Sequence, residues 1–131
     1  MASRTVQHTV PVSRNEVEGP VPTRWRPTLA TIVAAFVRHD YGLQDGIDGV
    51  APVSAETAGH VRDYVEDYGE TLVALPEASW DSSVCIWYGK HWDAMVDLWT
   101  EGEGRSDLVL SVRVYPRGED YLIEVDMVYV P

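Results

Sequence analysis

The sequence predicts an α+β domain in which two N-terminal helices pack on one face of a four- to five-stranded antiparallel meander sheet. Two observations predict this fold class. Apolar residues recur at three- to four-residue spacing between residues 27 and 69, whereas from Thr71 onward they alternate with a period of two. The alternating segments are also separated by short turns that contain glycine, which join neighbouring antiparallel strands. A chain of 131 residues is the size of one domain with its own core.

Residues 1–26 are expected to form a basic, loosely ordered N-terminal arm, followed by a single α+β domain over residues 27–131. The arm contains three prolines and shows little hydrophobic periodicity, and chain ends of this kind are usually mobile. Within it, Thr5–Val12 is rich in β-branched residues and is the alternative candidate for an added strand.

Both helices are predicted from their end signals and their apolar stripes. Pro27 suits the first position of a helix, and Gly42 suits the residue just past its end. Leu43–Val53 contains two Asp-Gly turn signals and is predicted to be a loop. Ser54 is a favourable N-cap for a second helix, which Gly69 ends. The apolar stripes are Leu29, Ile32, Val33, Phe36 and Val37 in the first helix, and Ala58, Val61, Tyr64, Val65 and Tyr68 in the second.

The remainder of the chain is predicted to form the sheet. Gly89-Lys90 is a two-residue hairpin loop with glycine first, which suits a type II′ turn. The predicted strands are Thr71–Leu75, Ser83–Tyr88, His91–Trp99, Asp107–Tyr115 and Tyr121–Val130.

The two-residue loop also predicts the register of the hairpin, because it fixes which residues lie opposite each other. Trp87 then faces Trp92, and Val84 faces Met95. One face of the hairpin is wholly apolar and is expected to meet the helices; it consists of Cys85, Trp87, Trp92, Ala94, Val96 and Leu98.

The opposite sheet face is the candidate binding surface. Strict alternation in the last strand assigns Leu122, Glu124, Asp126, Val128 and Val130 to one face, and Tyr121, Ile123, Val125, Met127 and Tyr129 to the other. The candidate surface mixes acids with large side chains and consists of Asp93, Met95, Asp97, Trp99, Arg113, Tyr115, Glu124 and Asp126. A solvated face with cross-strand pairs is the favoured interpretation. A recognition surface is the alternative, because aromatic residues, Met and Arg are enriched in interface cores.

Charge limits the partners of the chain. From His39 to the C-terminus it carries nineteen acidic and five basic side chains, a net charge of −14, whereas residues 1–38 carry five Arg and two Glu. A body of this charge repels nucleic acid and anionic membranes and attracts basic surfaces. We therefore expect a basic protein partner, no nucleic acid and no membrane, with a homodimer as a further candidate.

Neither a catalytic site nor a metal or cofactor site is predicted, and an enzyme is the less expected class. The four histidines show no metal-ligand spacing, although a loop site of His39 with Asp40, Asp45 and Asp48 is a minor alternative. The single Cys85 falls on the apolar hairpin face and is predicted to be a core thiol. One cysteine forms no internal disulfide, which suits the cytoplasm, and nine Arg against one Lys suggest a bacterial source.

Three segments of the sheet carry a resemblance: Trp92–Thr100, Glu103–Leu108 and Asp126–Val130. With its Val-Asp-Leu-Trp-Thr and Gly-Arg-Ser-Asp-Leu motifs, the chain resembles a family of small bacterial domains of unknown function over about residues 28–131. The resemblance implies an α+β domain without an assigned activity. By analogy, small acidic members of families of this kind often look like immunity proteins of toxin systems. Arg105-Ser106-Asp107 of the second motif is expected to form a turn between strands, with Ser106 and Asp107 binding turn amides.

Three function classes remain open from the sequence. The first is an acidic protein-binding domain, an immunity or inhibitor protein that neutralises a basic partner. The second is a small-molecule-binding or enzymatic domain with a pocket between helices and sheet. The third is a structural or oligomerisation domain.

Overall fold

The computed structural model describes residues 9–131 and contains two helices and a six-stranded antiparallel sheet, so the α+β class is confirmed. The strand order is β1-β3-β4-β5-β6, and β2 pairs with β4. The sequence predicted four to five strands; the sheet has one more, Gly19–Pro20 in the arm, and α2 lies in the middle of the chain. The elements are β1 (Gly19–Pro20), α1 (Arg26–Val37), α2 (Ala55–Tyr68), β2 (Leu72–Val73), β3 (Val84–Trp87), β4 (Trp92–Thr100), β5 (Gly104–Arg117) and β6 (Asp120–Tyr129).

Three of the four helix ends follow the sequence signals. The exception is the end of α1: the helix stops at Val37, five residues before the predicted Gly42, and His39 takes the left-handed conformation with a φ of 64°. Pro27 lies in the first turn of α1, directly after a 3₁₀ turn over Thr23–Trp25. The Ser54 hydroxyl accepts a hydrogen bond from the backbone N–H of Thr57 at 3.1 Å and caps α2. Gly69 ends α2 with a φ of 83°, a left-handed conformation that favours glycine. Both helices bury one stripe against the sheet, and these side chains join the inner sheet face in one contiguous core.

The described part of the arm packs along the edge of β3. Gly19 and Pro20 pair with Cys85 and Val84, and Val21 is completely buried. An edge strand leaves unpaired N–H and C=O groups, and the arm supplies partners for some of them. The candidate strand Thr5–Val12 begins outside the described residues, and no strand forms in its residues 9–12.

The register of the central hairpin is confirmed at every position. Trp87 pairs with Trp92 and Val84 pairs with Met95. The backbone N–H of Tyr88 donates to the carbonyl of His91 at 2.8 Å and closes the loop. A two-residue loop leaves one pairing, so local sequence alone decided this part of the sheet.

Arg105-Ser106-Asp107 were predicted to form a turn, but they lie at a bulge between β4 and β5. These residues lie inside β5, which begins at Gly104, and not in a turn. Asp97 pairs with Val109, and Trp99 pairs with Arg105. The two pairs are therefore two residues apart on β4 but four residues apart on β5, so β5 has two extra residues at the bulge.

The Ser106 hydroxyl bridges this bulge. It donates to the carbonyl of Leu98 at 2.8 Å and accepts from the N–H of Leu108 at 3.1 Å. The serine therefore satisfies backbone groups that the irregular pairing would leave open, as a turn serine would.

A second bulge, in β6, reverses the faces that strict alternation predicted for the last residues of this strand. Ser111 pairs with Met127, but the next residue Val112 pairs with Val125, so one residue of β6 is inserted. The alternation therefore slips by one position. Val128 is completely buried, whereas Met127 and Tyr129 are partly exposed, the reverse of the assignment by strict alternation.

No helix in the described residues is both long enough and apolar enough to cross a membrane.

Candidate functional site

The candidate site is the outer face of the sheet, defined as the face turned away from the buried core. In β4, Asp93, Met95, Asp97 and Trp99 are partly exposed and alternate with buried neighbours. β5 adds Arg113 and Tyr115, and β6 adds Glu124 and Asp126, all of them at least partly exposed. The structure thus places all eight residues of the predicted binding surface on one face.

Arg113 stands at the centre of the acidic residues. Its register partners are Asp93 on β4 and Glu124 on β6, so three charged side chains form one row across three strands. Nη1 lies 4.0 Å from Oε1 of Glu124, and Nη2 lies 3.9 Å from Oδ1 of Asp126. These pairs are long and partly exposed, and such pairs contribute little to stability. The guanidinium therefore remains free to change partners.

The charges of this row stabilise the positive charge of Arg113. Coulomb attraction to Asp126 raises the pKa of Arg113 above its ordinary value, against partial desolvation that lowers it; Tyr115 and Asp93 raise it further. Three carboxylates, those of Asp93, Glu124 and Asp126, lie near this one guanidinium, and Asp97 lies farther along β4. Together the four acids and Arg113 carry a formal net charge of −3.

His91 extends the charged row, although it was not among the predicted surface residues. Its Nε2 lies 3.1 Å from Oδ1 of Asp93, but the two groups are not aligned for a hydrogen bond, and Oδ1 is buried without such a partner. The imidazole also lies against Tyr115, with ring centroids 5.4 Å apart. The hairpin register, which places His91 and Asp93 on the same face two residues apart, was the signal that identifies it.

The carboxylate of Asp97 is held by the segment that precedes β3. It accepts a hydrogen bond from the Ser82 hydroxyl. The main chain of Asp97 is held as well, because its N–H donates to Oγ of Ser83 at 2.9 Å and its carbonyl accepts from Oγ of Ser79 at 2.7 Å. Asp97 is therefore the least available acid of the outer face, and Glu124 and Asp126 are the most available.

Two large side chains join the face only because of the β6 bulge. Met127 lies opposite Ser111, and Tyr129 lies opposite Val109. Strict alternation directed both side chains into the core. With Met95, Trp99 and Tyr115 they give the outer face the Met- and aromatic-rich composition that is typical of protein interfaces.

The second motif of the resemblance has a structural role. The Tyr68 hydroxyl donates to Oε1 of Glu103 at 2.7 Å and accepts from the N–H of Asp107 at 3.1 Å, which ties α2 to the start of β5. The backbone bond from Asp107 lowers the pKa of Tyr68, but the bond to Glu103, desolvation and the charges of Glu103 and Asp107 together outweigh it, so the pKa lies above its ordinary value of 10.0. A neutral phenol therefore suits this junction.

The clefts around the core are open to solvent. One of about 260 Å³ lies between the start of α1 and the β5–β6 turn, lined among others by Arg24, Trp25 and Tyr121. Another of about 500 Å³ lies beside Arg26 and Trp80. Residues 9–131 contain no cluster of three or more His, Cys, Asp or Glu side chains that could hold a metal ion. The smaller cleft borders both layers, because Thr28 of α1 and Tyr121 and Ile123 of β6 line it.

One family model matches residues 33–131, and its description is "Domain of unknown function (DUF7668)". This agrees with the resemblance to a small domain without an assigned activity. No curated protein and no solved structure is significantly similar to the chain.

Proposed function

The chain belongs to the DUF7668 family, whose function is unknown, and on this premise we propose that it is an acidic protein-binding domain whose outer sheet face binds a basic partner. The observation that carries the proposal is the row of carboxylates around Arg113, framed by partly exposed Met and aromatic side chains. Acids supply attraction to a basic surface, and the large side chains supply apolar area that a partner buries.

The charge distribution supports a basic protein over other partners. The net negative charge of the outer face is part of the −14 carried by residues 39–131, so a basic surface is attracted from a distance and docks in a fixed orientation. Nucleic acid and anionic membranes are repelled by the same field. Two outer faces of this protein repel each other as well, which disfavours a homodimer built face to face.

We further propose that binding neutralises the partner, as an immunity or inhibitor protein does. A toxin nuclease or another enzyme of nucleic acid presents a basic substrate surface, and an acidic domain bound there excludes the substrate. Electrostatic steering makes such capture fast and sensitive to salt. A toxin gene adjacent to the gene of this protein would identify the partner, and rescue of cells from that toxin would test neutralisation.

Site-specific photo-crosslinking in extracts of the source cells tests the binding surface. A photoreactive amino acid at Met95 lies on the outer face, and the same residue at Asp63, exposed on α2, is the control. We expect a basic protein to be crosslinked from Met95 and not from Asp63, and the product to disappear at about 0.5 M salt, where the Debye length falls to a few ångströms. The same products from both positions, or none at low salt, would contradict the proposal.

Charge-matched variants separate the outer face from the overall charge. Glu124→Gln with Asp126→Asn removes two charges from the outer face, and Glu56→Gln with Asp63→Asn removes two from α2. We expect the first pair to weaken binding of the crosslinked partner at least tenfold, and the second to weaken it by less than about threefold. Equal effects of the two pairs would mean that only net charge matters.

A further inference from the structure

The arm places an arginine on two tryptophans at the edge of the sheet. The Arg14 guanidinium carbon lies 4.9 Å from the ring centroid of Trp87 and 5.9 Å from that of Trp92. The two rings are 4.4 Å apart and inclined by 55°, so they form an aromatic corner. Among the described residues, Arg14 takes part in no ion pair. Cation–π attraction is therefore what holds this guanidinium.

Main-chain atoms on both sides of Arg14 complete the contact. The indole Nε1 of Trp92 donates to the carbonyl of Ser13 at 2.8 Å, and the backbone N–H of Trp87 donates to the carbonyl of Asn15 at 2.9 Å. Carbonyls two residues apart that face the same edge are the pattern of an extended segment added to a strand. The side chains of Ser13 and Asn15 are not needed for these bonds. The corner therefore fits an arginine whose two neighbouring residues each present a main-chain carbonyl to the sheet edge.

The arm fits this corner incompletely. A space of about 200 Å³ remains beneath it, lined by arm residues and by Cys85 and Trp92. Residues 13–18 of the arm are all exposed, so the arm gains little apolar burial over this stretch. A different segment with a larger apolar side chain beside its arginine would fill the space and bind better.

The two tryptophans lie within the region matched by the family, residues 33–131, whereas the arm lies outside it. We propose that Trp87 and Trp92 form a binding site for an extended, arginine-bearing segment of a partner protein, and that Arg14 of the arm occupies this site within the chain. The site lies at the edge of β3 and shares no residue with the outer face. It therefore stands independently of the function proposed above.

Binding of a peptide to the full-length chain tests the site. The probe is a fluorescently labelled peptide with the sequence of residues 9–20, followed by anisotropy. A tethered arm competes at an effective concentration in the millimolar range, so the Arg14→Ala chain should bind the probe more tightly than the unmodified chain. Replacing the arginine of the peptide by alanine should weaken binding about two- to fivefold, the range of an exposed cation–π contact.

Two variants show whether the tryptophan corner is the site. In the Arg14→Ala background, Trp87→Leu should weaken binding of the probe. Trp87→Phe keeps an aromatic face and should retain part of the affinity. Arg24→Ala is the matched control, because the Arg24 guanidinium lies 5.0 Å from the ring of Tyr121 and over neither Trp87 nor Trp92. Thermal unfolding verifies that each variant is folded. Equal affinity for the Arg and Ala peptides, or no effect of Trp87→Leu in a folded chain, would overturn the site.

Selection from a random peptide library on the Arg14→Ala chain tests the partner chemistry. We expect selected peptides to contain an arginine beside a large apolar residue, and to be lost on the Trp87→Leu chain. Selected peptides that lack arginine would overturn the proposal. If instead the chain forms a dimer whose population rises with protein concentration, and Trp87→Leu abolishes that dimer, the site binds the arm of a second copy. This result would overturn the assignment to a partner protein.

Discussion

Replacement of Ser106 by alanine tests whether the bulge between β4 and β5 depends on one hydroxyl. Ser106 is 7% exposed, and its two partners belong to residues that are completely buried, Leu98 and Leu108. Alanine removes both hydrogen bonds and leaves a carbonyl and an N–H without a partner in the interior. A buried group left in this state costs about 1–3 kcal/mol, and the N–H is the more costly of the two.

We therefore expect Ser106→Ala to lower the free energy of unfolding by about 2–4 kcal/mol, a large part of the roughly 5–15 kcal/mol of a typical domain. Urea unfolding followed by tryptophan fluorescence measures it. With a slope of about 2 kcal/mol per molar urea, the midpoint should fall by roughly 1–2 M at unchanged slope. The slope must stay unchanged, because a different slope would mean altered unfolded states.

Ser111→Ala is the control on the same strand. Its hydroxyl lies on the outer face and makes one long bond of 3.4 Å to Oδ2 of Asp126. We expect a loss within about 0.5 kcal/mol. If Ser106→Ala destabilises the protein no more than Ser111→Ala does, water or a shifted backbone satisfies the bulge, and the argument for the hydroxyl fails.

Three further predictions concern packing and titration. Val128→Asp should unfold the protein at 25 °C, because it buries an unpaired charge, whereas Met127→Asp should leave a folded protein by circular dichroism; the opposite result would contradict the β6 bulge. Burial raises the pKa of the Cys85 thiol to about 11, so at pH 8 alkylation followed by mass spectrometry should be much slower than in urea, and equal rates would contradict its burial. The raised pKa of Tyr68 means that its folded-state proton is held more tightly, so its stabilisation is present below pH 10 and is lost as the pH rises through the folded pKa. Tyr68→Phe should reduce this loss in pH-dependent urea unfolding, and an unchanged profile would argue against the bond to Glu103.

Local signals predicted the parts of the fold that depend on neighbouring residues. Ser54 and Gly69 mark the ends of α2 because a cap acts within one helical turn. Gly89-Lys90 determined the pairing of β3 with β4 because a two-residue loop leaves no freedom of register. The class followed from the change in hydrophobic period, which reflects how side chains alternate on helices and strands.

The sequence placed eight of the outer-face residues on one face and missed three others. The eight surface residues lie on one face because alternation holds through β4 and through β5 as far as Tyr115. Their role as a binding surface stays a proposal. Met127 and Tyr129 were assigned to the core because no residue type marks Asp126 as the inserted residue of β6. His91 was left out because its contact with Asp93 depends on side-chain conformations.

The sequence by itself determined the class, both ends of α2, the central hairpin and the acidity of the body, since each follows from residues close together in the chain or from a sum over it. Only the tertiary structure decided the two bulges, the packing of the arm on β3 and the meeting of Arg14 with Trp87 and Trp92. These features depend on competition between distant segments for unpaired backbone groups and buried area. That competition is settled by small free-energy differences that no local pattern records.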